Sequence, residues 1–264
     1  MPYLPAFVTT AGYSRGVKVH SSAARISGSP AVQRVVGRAR QAARDTAAKL
    51  PRPAEQKVSL KAADFSGVRT TGLLLDGDEA RLARKAARRL GLARTLDDTS
   101  AWAAFGALAA LLRIVDDGRR RSVVVDTAGP RSIFTRWATK VGFAPLAVDV
   151  MRPEVVGSTI DPGSVDLVVR LHPHSSDPAT VDEDLARGTS ALRRGGLIIV
   201  TLRLGPRDAG GVAVADLRSL IARADEQGLS LVGDLALEEG RQANAVAAAE
   251  TGNFGLALLA FRRR

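Results

Sequence analysis

The sequence predicts an α/β domain built on a doubly wound, mostly parallel sheet in three layers, preceded by a helical N-terminal extension. From residue 122 onward, short apolar runs rich in Val, Ile and Leu alternate with helical stretches. The runs are continuous in hydrophobicity, which is typical of strands that are buried on both faces. The chain has 264 residues, 45% of them hydrophobic, so it can build a sizeable core.

The alternation defines the expected order of elements. Strands are predicted at 122–126, 146–150, 165–169, 197–202, 229–235 and 254–261. Helices are predicted at 131–141, 181–192 and 214–227, with Pro130 suited to a first helical turn. The ligand crevice of such a sheet lies beyond the carboxyl ends of its parallel strands.

The segment 58–120 is predicted to be a helical lead-in packed on this domain, which spans 121–264. Residues 72–76 read as a short buried strand or turn. Two helices follow, Glu79–Leu90, capped by Asp76 or Asp78, and Ala101–Val115, capped by Thr99 or Ser100. The apolar run 101–112 is shorter than the ~20 residues of a membrane span, so we expect a buried helix.

Residues 1–57 are predicted to form a basic extension. Residues 1–60 carry ten Lys or Arg and two acidic residues, and apolar positions at helical spacing over 31–50 predict an amphipathic helix. Such a helix either binds an anionic surface, the phosphates of lipid or nucleic acid, or packs on its own protein. We expect a cytoplasmic protein, with peripheral membrane attachment or organellar import as alternatives.

Composition and missing motifs exclude several classes of function. The chain has no cysteine, which excludes disulfides, thiolate zinc sites, iron–sulfur clusters and a Cys nucleophile. Residues 126–129 follow a Val run as in GTPases, but no phosphate-binding P-loop motif occurs in the chain. The same turn lacks the G-x-G-x-x-G pattern of nicotinamide-binding domains.

Acidic residues end the first two predicted strands, at Asp126 and Asp149. Carboxyl ends of parallel strands meet at one edge of a sheet, so both side chains are expected to face one crevice. A carboxylate there can accept hydrogen bonds from a ribose diol.

The second half of the chain resembles a known family. Leu192-Arg-Arg-Gly-Gly-Leu-Ile-Ile-Val-Thr201 is predicted to be a helix end, a Gly-Gly turn and a buried strand, and Pro162-Gly-Ser-Val-Asp-Leu-Val-Val169 enters the strand before it. Together with the closing strand 255–261, these segments resemble class I S-adenosylmethionine-dependent methyltransferases. The resemblance implies that the last strand is antiparallel in a C-terminal hairpin, and that S-adenosylmethionine is the cofactor.

The resemblance also assigns roles to single residues. Asp126, with Ala128 and Gly129, occupies the glycine loop after the first strand, although the family's acidic-x-Gly-x-Gly pattern is altered here by Ala128 and Pro130. The other implied cofactor-binding residues are Asp149 at the ribose, Val150 and Met151 beside the adenine, and Asp166 in the fourth strand.

His172 and His174 are the candidate catalytic residues. Both follow the strand 165–169, in the loop that would border the methyl acceptor, and an imidazole can take a proton from a hydroxyl or amine. A metal site made of His172, His174 and Asp177 would lack a fourth ligand, so no metal is expected.

The expected acceptor is a small molecule, a lipid-linked molecule or a glycan. The alternative is a catalytically inactive methyltransferase-fold module that binds a partner, membrane or nucleic acid through its basic N-terminus.

Overall fold

The computed structural model describes residues 57–116, 118, 121–150, 160–172, 177–206, 210–240 and 255–264. The predicted helix 31–50, Met151 and His174 lie outside the described residues. The strands are β1 Gly72–Leu74, β2 Val124–Asp126, β3 Val165–Arg170, β4 Leu192–Leu204, β5 Leu229–Leu231 and β6 Gly255–Arg263. The helices are α1 Gly77–Arg89, α2 Asp98–Ala110, α3 Ile133–Val141, α4 Pro178–Ala191 and α5 Val214–Glu226. A 3-10 turn, Ala62–Phe65, precedes β1, and a π-helical turn, Leu111–Val115, continues α2.

The sheet has the strand order β1-β6-β4-β3-β2. β2, β3 and β4 are parallel to one another, whereas β6 is antiparallel to β4. β1 and β5 both pair with the other edge of β6, β1 with residues 256–258 and β5 with residues 261–263. The last strand therefore lies between β4 and β5 and antiparallel to both, which confirms the predicted fold class and its C-terminal hairpin.

Side chains alternate between the two faces of the sheet, as the pleat requires. In β4, Leu197 and Ile199 pack in the cluster that includes α2 and α3, whereas Ile198 and Val200 pack with α4 and α5. Both faces are thus covered by helices, in three layers. Residues 98–115 are long and apolar enough to cross a membrane by length and composition, but Ala101–Ala110 are all buried against the sheet, as expected of a core helix.

Two predicted strands, 146–150 and 229–235, are much shorter in the structure. Of 146–150, only Leu146 pairs with the sheet, in a single parallel bridge to Val125. The Val150 N–H then donates to the Val148 carbonyl at 3.1 Å, which turns the chain away from the edge. Strand 229–235 shortens to β5, although the Val232 N–H still donates to Ala260 at 2.8 Å.

The predicted Gly-Gly turn before β4 is instead an irregularity within the strand. β4 begins at Leu192, and its register with β3 shifts between Val165 and Leu167. Gly195 has φ +78°, which favours glycine, and a Cβ on Gly196 would lie 3.1 Å from the Asp166 carbonyl oxygen. The glycines therefore let the two backbones approach closely, as at a β-bulge.

The contact between α2 and β6 generates a prediction about stability. A Cβ on Gly106 would lie 2.4 Å from Leu258 Cδ2 and 3.0 Å from the Arg69 carbonyl oxygen. We expect Gly106→Ala to lower the free energy of unfolding by about 1–2 kcal/mol, because overpacking costs about 1–3 kcal/mol and alanine's helix propensity offsets up to about 1 kcal/mol. Urea denaturation measures the difference. Gly77→Ala is the control, since its Cβ would meet only Arg81, at 3.7 Å. Equal effects of the two substitutions would contradict the close packing.

Candidate cofactor-binding cleft

A cavity of about 550 Å³ lies at the carboxyl edge of the parallel strands. β2 contributes Asp126 to its wall and β3 contributes Arg170, while the first turn of α2 contributes Ser100. The remaining lining residues are Ala104, Thr127, Ala128, Arg131, Ser132, Ile133, Phe134, Asp149, Leu171, His172 and Asp184. The structure thus places the cavity where ligands bind in open α/β sheets, and it brings Asp126 and Asp149 to one site as the sequence predicts.

Asp126 holds the bend between β2 and α3. Its side chain is 1% exposed, and one carboxylate oxygen accepts from the Ala128 N–H at 3.0 Å. The other oxygen accepts from the Thr135 hydroxyl at 2.7 Å and from the Ser132 hydroxyl. A buried carboxylate needs such donors, and here they come from the bend and from the first turn of α3. Asp126 therefore shapes the cleft by fixing the bend around it.

Of the divergent glycine loop, Ala128 lines the cavity and Gly129 does not. Gly129 has φ +87°, a conformation that glycine adopts readily, and a Cβ built on it meets nothing within 4 Å. Pro130 lies before the helix, because α3 begins at Ile133 with Ser132 as its N-cap and the Thr135 N–H as its donor at 2.9 Å. The predicted helix start at 131 is thus two residues early. Thr127 donates to the Val169 carbonyl and Gly129 to the Asp126 carbonyl, so these two N–H groups are used within the protein.

Of the residues predicted to bind cofactor after the second strand, Asp149 lines the cavity and Val150 does not. Asp149 is partly exposed, as a group that meets a ligand must be. Val150 is 9% exposed and packs in the core cluster on the α4 and α5 face. The structure thus places Val150 in the core and not in the lining of this cavity, because the turn at Val148 directs it there.

Asp166 does not reach the cleft either. It is the second residue of β3, at the end of the strand opposite to the cavity. Its buried carboxylate accepts from the Val123 N–H at 2.7 Å and pairs with Arg193. Asp166 thus joins the starts of three strands instead of binding cofactor.

Sequence reasoning missed a buried ion pair in the cavity wall. Arg170, at the end of β3, pairs with Asp184 of α4, and both side chains are buried. Asp184 lies among Val181, Leu185 and Gly188 on the buried side of its helix. A carboxylate on an apolar helix face is the signal that could have revealed it, because a buried charge requires a partner. Arg131, exposed at the cavity, was missed as well.

His172 adopts a constrained backbone conformation at the cleft. Its φ is +55°, and among the described residues it is the one non-glycine residue with positive φ. Its N–H donates to the Thr201 hydroxyl at 2.6 Å, and Thr201 is completely buried in β4. The hydroxyl of a core strand thus fixes the backbone from which the imidazole projects. Asp177, from the same loop, caps α4 by accepting from the Thr180 N–H at 3.1 Å.

The surroundings of His172 favour its neutral form. The residue keeps solvent exposure, yet nearby protein removes enough water from the ring to lower its pKa. Asp97 opposes this effect by raising the pKa, and Arg203 adds to it by lowering the pKa. A neutral imidazole near neutral pH can accept a proton.

Substitutions at the bend test the role of Asp126. We expect Asp126→Asn to lower the free energy of unfolding by about 1–3 kcal/mol, because the amide leaves hydrogen-bond partners unsatisfied in a buried place. Asp149→Asn should have a smaller effect, since Asp149 is partly exposed. Chemical denaturation of both variants provides the comparison, and a larger loss for Asp149→Asn would refute the assignment.

The pKa of His172 can be measured by NMR titration of its ring. We expect a pKa below 6.5, a higher one in Arg203→Gln and a lower one in Asp97→Asn. Because the folded-state pKa is depressed, the unfolded chain binds more protons between the two pKa values, so this residue makes stability fall as pH drops below about 6.5. A pKa above 6.5 in the unmodified protein would contradict the described environment.

Comparisons with known proteins find solved structures of low sequence identity. No protein-family model and no curated protein matches the chain. A solved 1,6-didemethyltoxoflavin-N1-methyltransferase of Burkholderia thailandensis, with 1,6-didemethyltoxoflavin and S-adenosylhomocysteine bound, is 14% identical, with 71% of this chain and 86% of that chain covered and a TM-score of 0.40. A geranyl diphosphate methyltransferase, in complex with GPP and sinefungin, is 17% identical, with 79% and 95% covered and a TM-score of 0.38.

NodS, an N-methyltransferase from Bradyrhizobium japonicum in complex with S-adenosylhomocysteine, is 19% identical, with 61% and 72% covered and a TM-score of 0.34. At these values the likenesses carry no argument about activity or ligand. The fold rests on this chain's own strand order, with β6 antiparallel between β4 and β5. The described part of the chain thus has the sheet that the resemblance to class I methyltransferases implies, mostly parallel with an antiparallel last strand.

Proposed function

We propose that this protein is an S-adenosylmethionine-dependent methyltransferase that acts on a small molecule. The observation that carries the proposal is the cavity beside Asp126 and Asp149, at the carboxyl ends of β2 and its neighbours, in a sheet closed by an antiparallel last strand. The strand order supports the family, and the cavity supports a bound nucleoside at the position that the family uses.

The residues present fit the cofactor. The cavity volume of about 550 Å³ lies within the ~300–1,000 Å³ of small-molecule sites. Pro130 does not line the cavity and Ala128 contributes only a methyl group, so the altered loop leaves this volume open. Asp149 supplies a carboxylate for a ribose diol, and Arg131 supplies a guanidinium for the carboxylate of the methionine part.

When bound, S-adenosylmethionine supplies a methyl group whose bond to sulfur breaks, with the electron pair staying on sulfur, as the acceptor's oxygen or nitrogen bonds to the methyl carbon. The protein's task is mainly to position the two reactants in line. Asp126 keeps the bend in place, and Thr201 keeps the backbone of His172 in place. A ring nitrogen of neutral His172 then accepts the proton that the acceptor loses.

The other expectations about partners stay predictions. The inactive module with a basic anchor depends on residues 1–57, most of which lie outside the described residues. A lipid-linked or glycan acceptor, an anionic surface as partner and a cytoplasmic location likewise await their own experiments. His174, also outside the described residues, stays a candidate beside His172.

Calorimetry with S-adenosylhomocysteine tests the proposal. We expect saturable binding to the full chain, weakened about 10- to 100-fold in Asp149→Asn, because a hydrogen bond to a charged group contributes about 1.5–3 kcal/mol. Asp161→Asn is the matched control, since Asp161 is exposed in the turn before β3 and does not line the cavity. The absence of binding at millimolar ligand, or equal losses in both variants, would overturn the proposed site.

A further inference from the structure

A second cavity adjoins the cofactor cleft and shares His172 with it. Its volume is about 360 Å³, and it lies at the carboxyl end of β4 and the start of β6. Leu75, Ala80 and Leu256 give it an apolar side, while Arg203 gives it a cationic group. The proposed function assigns a ligand, the cofactor, to the first cavity and none to this second one.

The two cavities meet at His172, which lines both of them. Two neighbouring residues in the first turn of α2 also face them: Thr99 lines the second cavity and Ser100 lines the cofactor cleft. The N–H groups of both residues donate to the carboxylate of Asp97, at 3.1 and 3.2 Å, which fixes this turn. A ligand in either cavity can therefore contact the same imidazole.

The second cavity is suited to an anion of small size. Arg203 is exposed and follows the buried residue Leu202 in β4, so its guanidinium is anchored at the cavity by a core strand. Gly77, the first residue of α1, also lines the cavity and adds the partial positive charge of a helix N-terminus. Asp76, the N-cap of α1, also lines the cavity, and one of its carboxylate oxygens accepts from the Asp78 N–H at 2.9 Å. Because a carboxylate repels an anion, we expect the anion on the Arg203 side of the cavity.

We propose that the second cavity binds the methyl acceptor, and that this acceptor is a compact molecule with an apolar body and a carboxylate or phosphate group held by Arg203. The acceptor's hydroxyl or amine then lies against His172 where the two cavities meet, from where it can contact the methyl group of a bound cofactor directly. The proposal rests on the proposed function for its chemistry, and on the shared residue His172 for its geometry.

Binding of small probes can be measured with the full chain saturated with S-adenosylhomocysteine. The probes are 4-hydroxybenzoate and phenyl phosphate as anions, 4-hydroxybenzamide as the neutral match and 4-hydroxybenzylamine as the cation. The ring signals of the three histidines are followed by NMR, with His172→Gln to assign the signal. We expect at least one anion to move the His172 signal saturably and the neutral and cationic probes to bind at least tenfold more weakly.

Matched variants assign the binding to its cavity. Arg203→Gln should weaken the bound anion about tenfold or more and leave the affinity for S-adenosylhomocysteine within twofold. Thr99→Leu should fill the second cavity and remove anion binding with the same small effect on S-adenosylhomocysteine. Ser100→Leu should weaken the binding of S-adenosylhomocysteine and leave anion binding unchanged, because its side chain enters the cofactor cleft. Since this variant is not expected to bind S-adenosylhomocysteine, its anion binding is measured without that ligand.

Three outcomes would overturn the acceptor site: no probe binds, the neutral or cationic probe binds as well as the anions, or Thr99→Leu leaves anion binding unchanged. Failure of the proposed function is distinguishable from these results. Absent binding of S-adenosylhomocysteine with intact, Arg203-dependent binding of an anion would remove the methyltransferase proposal and keep the anion site.

Discussion

The pairing of β6 with β4 is the constraint on which the rest of the structure depends. From Leu197 to Leu204, β4 is bonded to β6 along its length, and the opposite edge of β6 carries β1 and β5. Because β6 is antiparallel, it places its first residues, Gly255 and Leu256, beside the carboxyl end of β4. The strand β6 thus completes the core, and its first residues also line the second cavity.

Charged side chains lie at both ends of the parallel strands, and they differ in burial. Asp166 and Arg193 pair at the amino ends of the strands, where they fix the irregular start of β4. At the carboxyl ends, Arg170 and Asp184 are buried against each other, whereas Asp149, Arg131 and Arg203 keep contact with solvent at a cavity. Buried pairs of this kind contribute little net stability, because desolvation offsets their attraction, but removing one partner is costly. The exposed charges are those able to select a ligand.

The sequence predicted the fold because its strands are buried on both faces and therefore read as continuous apolar runs. It predicted the meeting of Asp126 and Asp149 because parallel strands end at one edge. The position of Asp166, second in its strand, implied the far edge of the sheet, whereas the family resemblance implied the cofactor site. Local pattern could not predict the Arg170–Asp184 pair, which joins residues of different elements, nor the turn at Val148 that takes Val150 into the core. Local pattern could not predict the hydrogen bond from His172 to Thr201 either, because these residues are far apart in sequence.

The conformation of His172 connects the fold to the chemistry. A non-glycine residue with φ near +55° is disfavoured, and such strain persists only where surrounding structure determines it. Here the determining group is the Thr201 hydroxyl, on the strand that pairs with both β3 and β6. A histidine that only filled a loop would need no such anchor, since a relaxed backbone would serve. The anchor instead holds the imidazole where the two cavities meet, so the central sheet fixes one proton acceptor beside the proposed sites of both reactants.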